Sequence, residues 1–247
     1  MTRRATAAIR SSAWPVRTSL LCARRAYHAL AQRLRKSEAE LLSEIAGRCP
    51  DVYFIQIGAH DGKTDDHLHF FVRTFGWKGI LLEPVRPLFE SLRNNYEGVP
   101  GLTFENAALA EHDGTGSFFR VEAAGMPEWC SQLGSFRRDV IASHKKFIPE
   151  IEQHLIEDHV TCISFRTLVQ KFAIQRLDIV LIDTEGYDLK VLEQIDLSMF
   201  RPRLIIYEQK HLSKPDKARA AELLSNAGYR IYRIGNGWNN AALRKRH

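Results

Sequence analysis

Three carboxylate residues lie within one short segment of the sequence, IDTEGYD at 182–188. Asp183, Glu185 and Asp188 follow an apolar run that has the composition of a buried strand. Burying even one carboxylate without a partner is costly, so three at one strand end need a physical reason. A cationic ligand or a proton-transfer reaction would supply that reason.

A histidine belongs to the same prospective site. The segment YEQKH at 207–211 ends the next apolar run and carries Glu208 and His211. Because open α/β sheets bind ligands outside the carboxyl ends of their strands, both segments would meet in one crevice. The candidate catalytic residues, as acceptors of a proton, are Asp183, Glu185 and His211.

A glycine turn follows an earlier apolar run. The glycines of IGAHDG, at 57–62, permit a tight strand-to-helix turn and the close approach of a ligand to the backbone. The motif is not the G-x-G-x-x-G pattern of dinucleotide enzymes. Asp61 within it would repel a pyrophosphate and would suit a positively charged ligand. A glycine turn without a function would look similar. The candidate cofactor-binding residues of this turn are Gly58, Ala59, His60, Asp61 and Gly62.

Two further polar residues follow predicted strands. Glu83 ends the run GILLE, 25 residues after Gly58. A carboxylate there can accept both hydroxyls of a ribose, and the alternative is a solvated acid that ends a strand. Asn106, followed by Ala107, stands in FENAAL, where its amide either bonds an adenine or forms a turn.

These residues need a scaffold, and the sequence predicts alternating strands and helices. Ser37 and Glu40 form a capping box for the first helix, and apolar residues at helical spacing mark others. The expected strands are 52–57, 79–83, 102–109, 179–183 and 204–208, with a closing hairpin from 229 to 243. Continuous apolar strands separated by helices predict an α/β fold with a parallel sheet covered on both faces. Within 110–178 we expect a strand at 117–121 and helix in the polar stretch 137–158.

The charge of the chain is uneven. Its net charge is +6, yet residues 1–36 hold nine basic residues and no acid, while the remainder holds 26 basic and 29 acidic residues. We therefore expect a basic, poorly ordered arm at 1–36 and one domain at 37–247. A nucleic-acid partner is not expected, because its binding domain would keep a basic surface within the fold. No apolar stretch approaches the ~18 residues of a membrane-spanning helix, so membrane contact would involve the arm alone.

The order of the motifs resembles the FkbM-type S-adenosylmethionine-dependent methyltransferases. IGAHDG, GWKGILLEP, FENAAL, IDTEGYD and YEQKHLS follow one another within residues 50–245, and LGSFRRDV at 133–140 precedes the last two. This sequence has His60 where the family's glycine motif more often has asparagine.

The resemblance implies a class I methyltransferase fold. This is a Rossmann-like, seven-stranded, mostly parallel sheet with helices on both faces and one antiparallel strand from the C-terminal hairpin. The implied cofactor is S-adenosyl-L-methionine. The turn at Gly58–Gly62 would hold its amino-acid part, Glu83 its ribose, and Asn106 with Ala107 its adenine. Asp183 would face the methionine ammonium group or the acceptor.

The reaction implied by the resemblance is O-methylation of a hydroxyl on a sugar, glycan or natural product. Residues 110–178 are expected to shape the pocket for this acceptor. Two alternatives are a non-catalytic module that binds the cofactor and recruits partners, and an NAD-dependent oxidoreductase, against which the glycine motif argues. No metal site is expected, since His67 and His69 would point to different faces of a helix.

The cellular location depends on the arm. Its composition allows a mitochondrial transit peptide, a surface-binding arm, or an extension upstream of the natural start. Because the resemblance is mainly to bacterial proteins, we expect a cytoplasmic protein. The location would be mitochondrial if residues 1–36 are a transit peptide.

Overall fold

The computed structural model describes residues 35–122 and 124–245. The chain divides into two units, Met1–Arg35 and Lys36–His247, and every element given below belongs to the second unit. The expected basic arm, residues 1–36, lies outside the described residues except for its last two. Its disorder and its boundary therefore stay predictions.

Strands and helices alternate along the described chain. The strands are β1 (Tyr53–Ile57), β2 (Lys78–Leu82), β3 (Leu102–Glu105), β4 (Ala108–Leu109), β5 (Gly114–Val121), β6 (Gly134–Ser135), β7 (Leu155–Ile163), β8 (Ile179–Ile182), β9 (Leu204–Glu208), β10 (Tyr229–Ile234) and β11 (Asn239–Arg244). The α-helices are α1 (Glu38–Ala46), α2 (His67–Phe75), α3 (Arg86–Asn95), α4 (Arg138–Ala142), α5 (Phe165–Lys171), α6 (Asp188–Gln194) and α7 (Lys214–Asn226). Short 3₁₀ helices lie at Glu128–Gln132, Ser143–Lys146 and Ile151–His154.

Seven strands form one sheet in the order β10-β11-β9-β8-β1-β2-β3. The strands from β9 to β3 pair in parallel, and β11 inserts antiparallel between β9 and β10. This confirms the predicted mostly parallel, seven-stranded α/β fold. The chain adds strands outward from β1 in one direction and from β8 in the other, so the switch point lies between β1 and β8.

Helices cover both faces of this sheet, as predicted. On one face α1, α2 and α3 pack through residues such as Leu42, Leu68 and Leu92. On the other face α5, α6 and α7 pack through residues such as Leu168 and Leu192. The central strands are buried on both sides, which explains why their sequences are continuous apolar runs. None of the described helices is both long and apolar enough to cross a membrane.

Local signals fix the ends of the first two helices. α1 begins with the predicted capping box, in which the Ser37 side chain accepts the Glu40 N–H and the Glu40 side chain accepts the Ser37 N–H. α2 is capped at its start by Asp66, whose carboxylate accepts the Leu68 N–H at 2.7 Å. It is followed by Gly76, whose left-handed backbone (φ 65°) is the usual helix stop.

The middle of the chain differs from the prediction. The strand expected at 102–109 is divided at Asn106 into β3, on the edge of the main sheet, and β4, which joins a second sheet of order β4-β7-β5-β6. β5 contains the strand expected at 117–121. The helix expected in 137–158 is confirmed in part, because this stretch forms the short α4 and two 3₁₀ helices before β7 begins at Leu155. β7 has one exposed face, so its polar residues resemble those of a surface helix.

Candidate functional site

A cavity of about 430 Å³ opens at the carboxyl ends of β1, β2 and β8. The residues that follow these strands form one part of its wall, and residues of the second sheet, such as Phe118 and Gly134, form another. The volume lies within the roughly 300–1,000 Å³ of small-ligand pockets. The cavity lies at the switch point of the sheet, where α/β proteins bind ligands.

A glycine brings the end of β1 against the end of β8. Gly58 has a φ of 78°, and a Cβ atom on it would lie 1.9 Å from the carbonyl oxygen of Asp183. The Asp183 N–H donates to the Ile57 carbonyl at 2.9 Å, so this close approach continues the sheet pairing. Gly58 is therefore required by the protein's own packing, and it fixes where Asp183 enters the cavity.

The backbone N–H groups of the glycine turn are already bonded within the protein. Gly58 and Ala59 both donate to the Leu82 carbonyl, at 3.0 and 2.9 Å, and His60 donates to Glu83 Oε2 at 2.9 Å. Both ring nitrogens of His60, in contrast, are buried without a hydrogen bond among the described residues, although Nδ1 lies 3.4 Å from Asp61 Oδ1. Because Ala59 and His60 line the cavity, the turn offers a ligand the His60 side chain rather than backbone donors.

Asp61 and Gly62 stabilise the turn through contacts with other residues of the protein. The Asp61 carboxylate accepts the N–H groups of Lys63 and Thr64, at 2.9 and 2.8 Å. A Cβ atom on Gly62, whose φ is 67°, would lie 2.3 Å from Leu92 Cδ1 in α3. Neither residue lines the cavity, so their contact with a cofactor stays a prediction.

Glu83 lies buried beside the glycine turn, where it lines the cavity. Its Oε2 accepts the His60 N–H and its Oε1 accepts the Val85 N–H, both at 2.9 Å. Burial raises the pKa of Glu83 to about 7, against the lowering effect of these two N–H groups. Each carboxylate oxygen can accept a second hydrogen bond, so Glu83 retains acceptors for the two ribose hydroxyls expected from the sequence.

Asn106 holds the loop after β2. Its Nδ2 donates to the carbonyls of Glu83 and Pro84, at 2.8 and 3.1 Å. Of the two roles expected for the Asn106 amide, adenine binding and turn formation, these bonds correspond to turn formation. Asn106 does not line the cavity, whereas its fully buried neighbour Ala107 does. Contact of either residue with an adenine stays a prediction.

The cavity has an acidic lining. Among the described residues, seven carboxylate side chains line it against one arginine, Arg120, which pairs with Asp158 of the second sheet. The seven are Glu38, Asp65, Asp66, Glu83, Glu122, Asp183 and Glu185. Such a lining favours a positively charged ligand. Sequence reasoning missed Glu38, Glu122 and Arg120, because they come from α1 and the second sheet and stand in ordinary polar surroundings.

Four carboxylates meet beyond β8 and β9. Asp183 is exposed and lines the cavity, whereas Asp188 and Glu208 are buried. Although water reaches Asp183 through the cavity, burial among protein atoms and then the charges of Glu185 and Asp188 raise its pKa well above the usual range. Burial, followed by the charges of Glu185 and Asp183, raises the pKa of Glu208 to about 10. The cluster therefore favours a proton or another cation.

Asp188 and Ser135 position this cluster. The Asp188 carboxylate accepts the N–H groups of Gly186 and Glu208, at 3.2 and 3.0 Å, and so ties the loop after β8 to the end of β9. The buried Ser135 hydroxyl donates to the Glu185 carbonyl at 2.7 Å. Glu185 has a φ of 48°, which is uncommon for a residue with a Cβ atom and is often found at functional sites.

His211 lies against Glu185. Its Nε2 is 3.0 Å from Glu185 Oε2 and 3.9 Å from Glu208 Oε1. Asp183 and Glu185 line the cavity, whereas His211 does not. The structure therefore brings the three candidate catalytic residues into one region, with Asp183 and Glu185 placed to touch a ligand and His211 placed to act through Glu185.

The family of the chain follows from a comparison with family models. The model for the methyltransferase FkbM domain matches residues 56–231, from β1 to β10. The chain belongs to the FkbM methyltransferase family.

A comparison with solved structures finds chains similar to this one. The methyltransferase FkbM of Methylobacillus flagellatus KT has a TM-score of 0.50 and 12% identity, over 78% of this chain and 44% of that chain. Our chain thus spans less than half the length of that relative. The METTL16 methyltransferase domain is similar at a TM-score of 0.44 and 13% identity, over 84% of this chain and 80% of that one. No curated protein matches the sequence at a significant level.

Membership of the FkbM family implies S-adenosylmethionine as the methyl donor, and the residues of the cavity fit it. The acidic lining suits the sulfonium and ammonium charges of this donor. Three lining residues, Gln56, His60 and Thr184, have buried polar atoms without a partner among the described residues. Because such atoms are costly in a folded protein, a polar ligand that bonds them is expected here.

Proposed function

We propose that this FkbM methyltransferase transfers the methyl group of S-adenosylmethionine to a hydroxyl group of a sugar, glycan or other natural product. The observation that carries the proposal is the exposed Asp183 carboxylate in an acid-lined cavity at the switch point of the sheet. An acidic lining repels anionic acceptors. The lining thus disfavours nucleic acid as a partner and is compatible with the neutral small molecule or glycan that we propose as the acceptor.

Different residues of the cavity would bind different parts of the donor. Glu83 would accept the ribose hydroxyls of the donor, and His60 Nε2 would bond its carboxylate. The bound donor supplies a methyl group on sulfur: the S–C bond breaks with its electron pair left on sulfur, a lone pair of the acceptor oxygen forms the C–O bond, and the hydroxyl proton passes to a base. Gly58 holds the Asp183 backbone beside these contacts.

We assign the base to Asp183. It is the candidate whose carboxylate is exposed in the cavity, whereas His211 lies outside the lining. A base contributes roughly 10²–10⁴ in rate, and alignment of the reactants can contribute about 7–11 kcal/mol. Asp183→Asn is therefore expected to slow methyl transfer by ~100- to 10,000-fold while alignment leaves some residual activity.

The second sheet would form the acceptor side of the cavity. Phe118, Val121 and Leu133 line it with apolar surface, and Arg120 adds a donor. An apolar wall with a few polar groups suits the face of a sugar ring or a polyketide-like product. This agrees with the expectation that residues 110–178 shape the acceptor pocket.

Donor binding is tested first, by thermal shift and calorimetry with S-adenosylmethionine, its product S-adenosylhomocysteine, and NAD. We expect both sulfur compounds to raise the midpoint and NAD to leave it unchanged. Glu83→Gln should weaken S-adenosylhomocysteine binding, and the exposed Glu97→Gln of the next loop should not. A midpoint raised by NAD alone would refute the proposal in favour of an oxidoreductase.

Methyl transfer is tested with a labelled methyl donor against extracts and panels of neutral glycans and hydroxylated natural products. Label should appear in an ether, and the product's methyl group should be released only by ether cleavage. Donor binding without transfer to any of these acceptors would support the non-catalytic module instead. Label on nitrogen or carbon would refute O-methylation and leave the donor assignment standing.

We infer a cytoplasmic location from the mainly bacterial resemblance. Imaging of the full chain and of a variant without residues 1–36 in the native cells tests this inference. A location that changes from mitochondrion to cytoplasm on deletion would identify a transit peptide and overturn it.

A further inference from the structure

Two carboxylates and an imidazole converge beside the cavity. The ligand atoms of Glu185, Glu208 and His211 all lie within 4.8 Å of one another, and His211 Nε2 is 3.0 Å from Glu185 Oε2. Two ligands of one ion, each at ~2.1 Å and at right angles, are ~3.0 Å apart. The Glu185–His211 distance therefore fits one shared cation at a right angle, and the 3.9 Å between His211 Nε2 and Glu208 Oε1 fits it at a wider angle.

The buried Glu208 side chain is an independent indication of a missing partner. It is 6% exposed, and its Oε2 has no hydrogen-bond partner among the described residues. Glu185 Oε2 and His211 Nε2 also lack an aligned hydrogen bond, although they are 3.0 Å apart. Buried polar atoms without a hydrogen bond are costly unless a further group binds them.

The charge around these atoms is unbalanced. Asp183 and Asp188 add two carboxylates to those of Glu185 and Glu208, and Lys210 is the basic side chain whose charge acts on the cluster. The Lys210 ammonium lies 4.4 Å from the centre of the Trp238 ring. A divalent cation would let these carboxyl groups ionise together, because it relieves the repulsion among their charges.

The ligand-bearing loops are held in place before any ion binds. Asp188 bonds the backbones of Gly186 and Glu208, and the Ser135 hydroxyl bonds the Glu185 carbonyl. At Gly186 a Cβ atom would lie 3.2 Å from His211 Cβ, so the loop packs directly on the histidine. Supporting bonds of this kind orient the ligands of metal sites.

We propose that Glu185, Glu208 and His211 bind a divalent first-row transition cation. One imidazole nitrogen with two carboxylates suits Mn²⁺, Fe²⁺ or Zn²⁺ better than Mg²⁺ or Ca²⁺. The sequence indicated no metal, because Glu208 and His211 stand in one segment whereas Glu185 stands 23 residues earlier, and the three meet only at the carboxyl ends of β8 and β9. Since Glu185 also lines the cavity, the bound cation would fix the position of this side chain beside the acceptor. This role rests on the proposed function, whereas the binding of the cation does not.

The test uses the full chain, stripped with EDTA and titrated with Mn²⁺ under calorimetry and electron paramagnetic resonance. We expect one ion per chain and a nitrogen coupling in the pulsed spectrum. Glu208→Gln and His211→Asn should each weaken Mn²⁺ binding by at least ~10- to 100-fold, and His211→Asn should remove the nitrogen coupling. The matched controls are Glu157→Gln and His159→Asn, on exposed positions of β7. They should change neither the Mn²⁺ affinity nor the nitrogen coupling.

The outcomes separate this site from the proposed function. Calorimetry with S-adenosylhomocysteine and circular dichroism show that each variant is folded. No Mn²⁺ binding in the folded wild type, or equal binding in Glu208→Gln, would overturn the cation site. Mn²⁺ bound as expected without methyl transfer would support the site and refute the function. Methyl transfer that EDTA does not slow, together with absent Mn²⁺ binding, would support the proposed function and refute the cation site.

Discussion

Replacing Gly58 by alanine tests how the glycine turn positions the site. The new Cβ atom would lie 1.9 Å from the Asp183 carbonyl oxygen and 3.0 Å from its carbonyl carbon, so the ends of β1 and β8 must move apart. The left-handed backbone at φ 78° adds about 1–2 kcal/mol for a residue with a Cβ atom. The overpacking adds roughly 1–3 kcal/mol, for a loss of about 2–5 kcal/mol in the free energy of unfolding.

A matched substitution separates the two contributions. Gly76 has a φ of 65°, and a Cβ atom on it would meet no described atom within 4 Å, so Gly76→Ala introduces the backbone strain without the clash. We expect it to lose only about 1–2 kcal/mol. Urea unfolding followed by circular dichroism measures both variants, with the wild type as reference.

The clash also predicts a functional difference. Because Asp183 must move with its carbonyl, Gly58→Ala should weaken S-adenosylhomocysteine binding, and Gly76→Ala should leave it unchanged. Equal stability of the two alanine variants, or unchanged ligand affinity in Gly58→Ala, would refute the reasoning that this contact fixes the cavity.

Three further substitutions test other features. Ser37→Ala removes the capping box of α1 and should cost about 0.5–2 kcal/mol of stability in urea unfolding; an unchanged midpoint would show that the cap contributes nothing. Tyr229→Phe removes the hydroxyl that donates to the Pro202 carbonyl at 2.7 Å, and leaving that carbonyl unpaired should lower the free energy of unfolding by about 1–3 kcal/mol; Tyr232→Phe on the exposed side of β10 is its control. Glu83→Gln should change the pH dependence of stability: burial raises the pKa of Glu83 from 4.5 to about 7, so the wild type loses stability relative to the variant as the pH rises from 4.5 to about 7, and the difference is constant above that. A difference that is flat across this range would contradict the buried carboxyl.

Much of the main sheet could be predicted from the sequence because its signals are local. Central strands buried on both faces must be continuous apolar runs, and the capping box at Ser37 specifies a helix start without distant contacts. The second sheet could not be predicted in the same way. β7 alternates between exposed and buried residues and pairs with β5, and neither the pairing nor the exposed face is visible in a window of a few residues.

The residues of the candidate site could likewise be predicted only in part. The motifs placed Glu83, Asp183, Glu185 and His211 at strand ends, since a parallel sheet brings all carboxyl ends to one edge. The sequence did not show that the Asn106 amide would bond the loop after β2, because that choice depends on a carbonyl 22 residues away. It did not show Glu38 in the cavity wall either.

The amino-acid sequence by itself determined the family, the order of strands and helices, and which acids lie at the edge of the sheet, because each depends on residue type and short-range spacing. Only the tertiary structure decided which of those acids face the cavity, which bond the backbone, and which converge on His211. Hydrogen bonds and charge repulsion act across a few ångströms of space, and the chain brings β8, β9 and the second sheet that close only when it is folded.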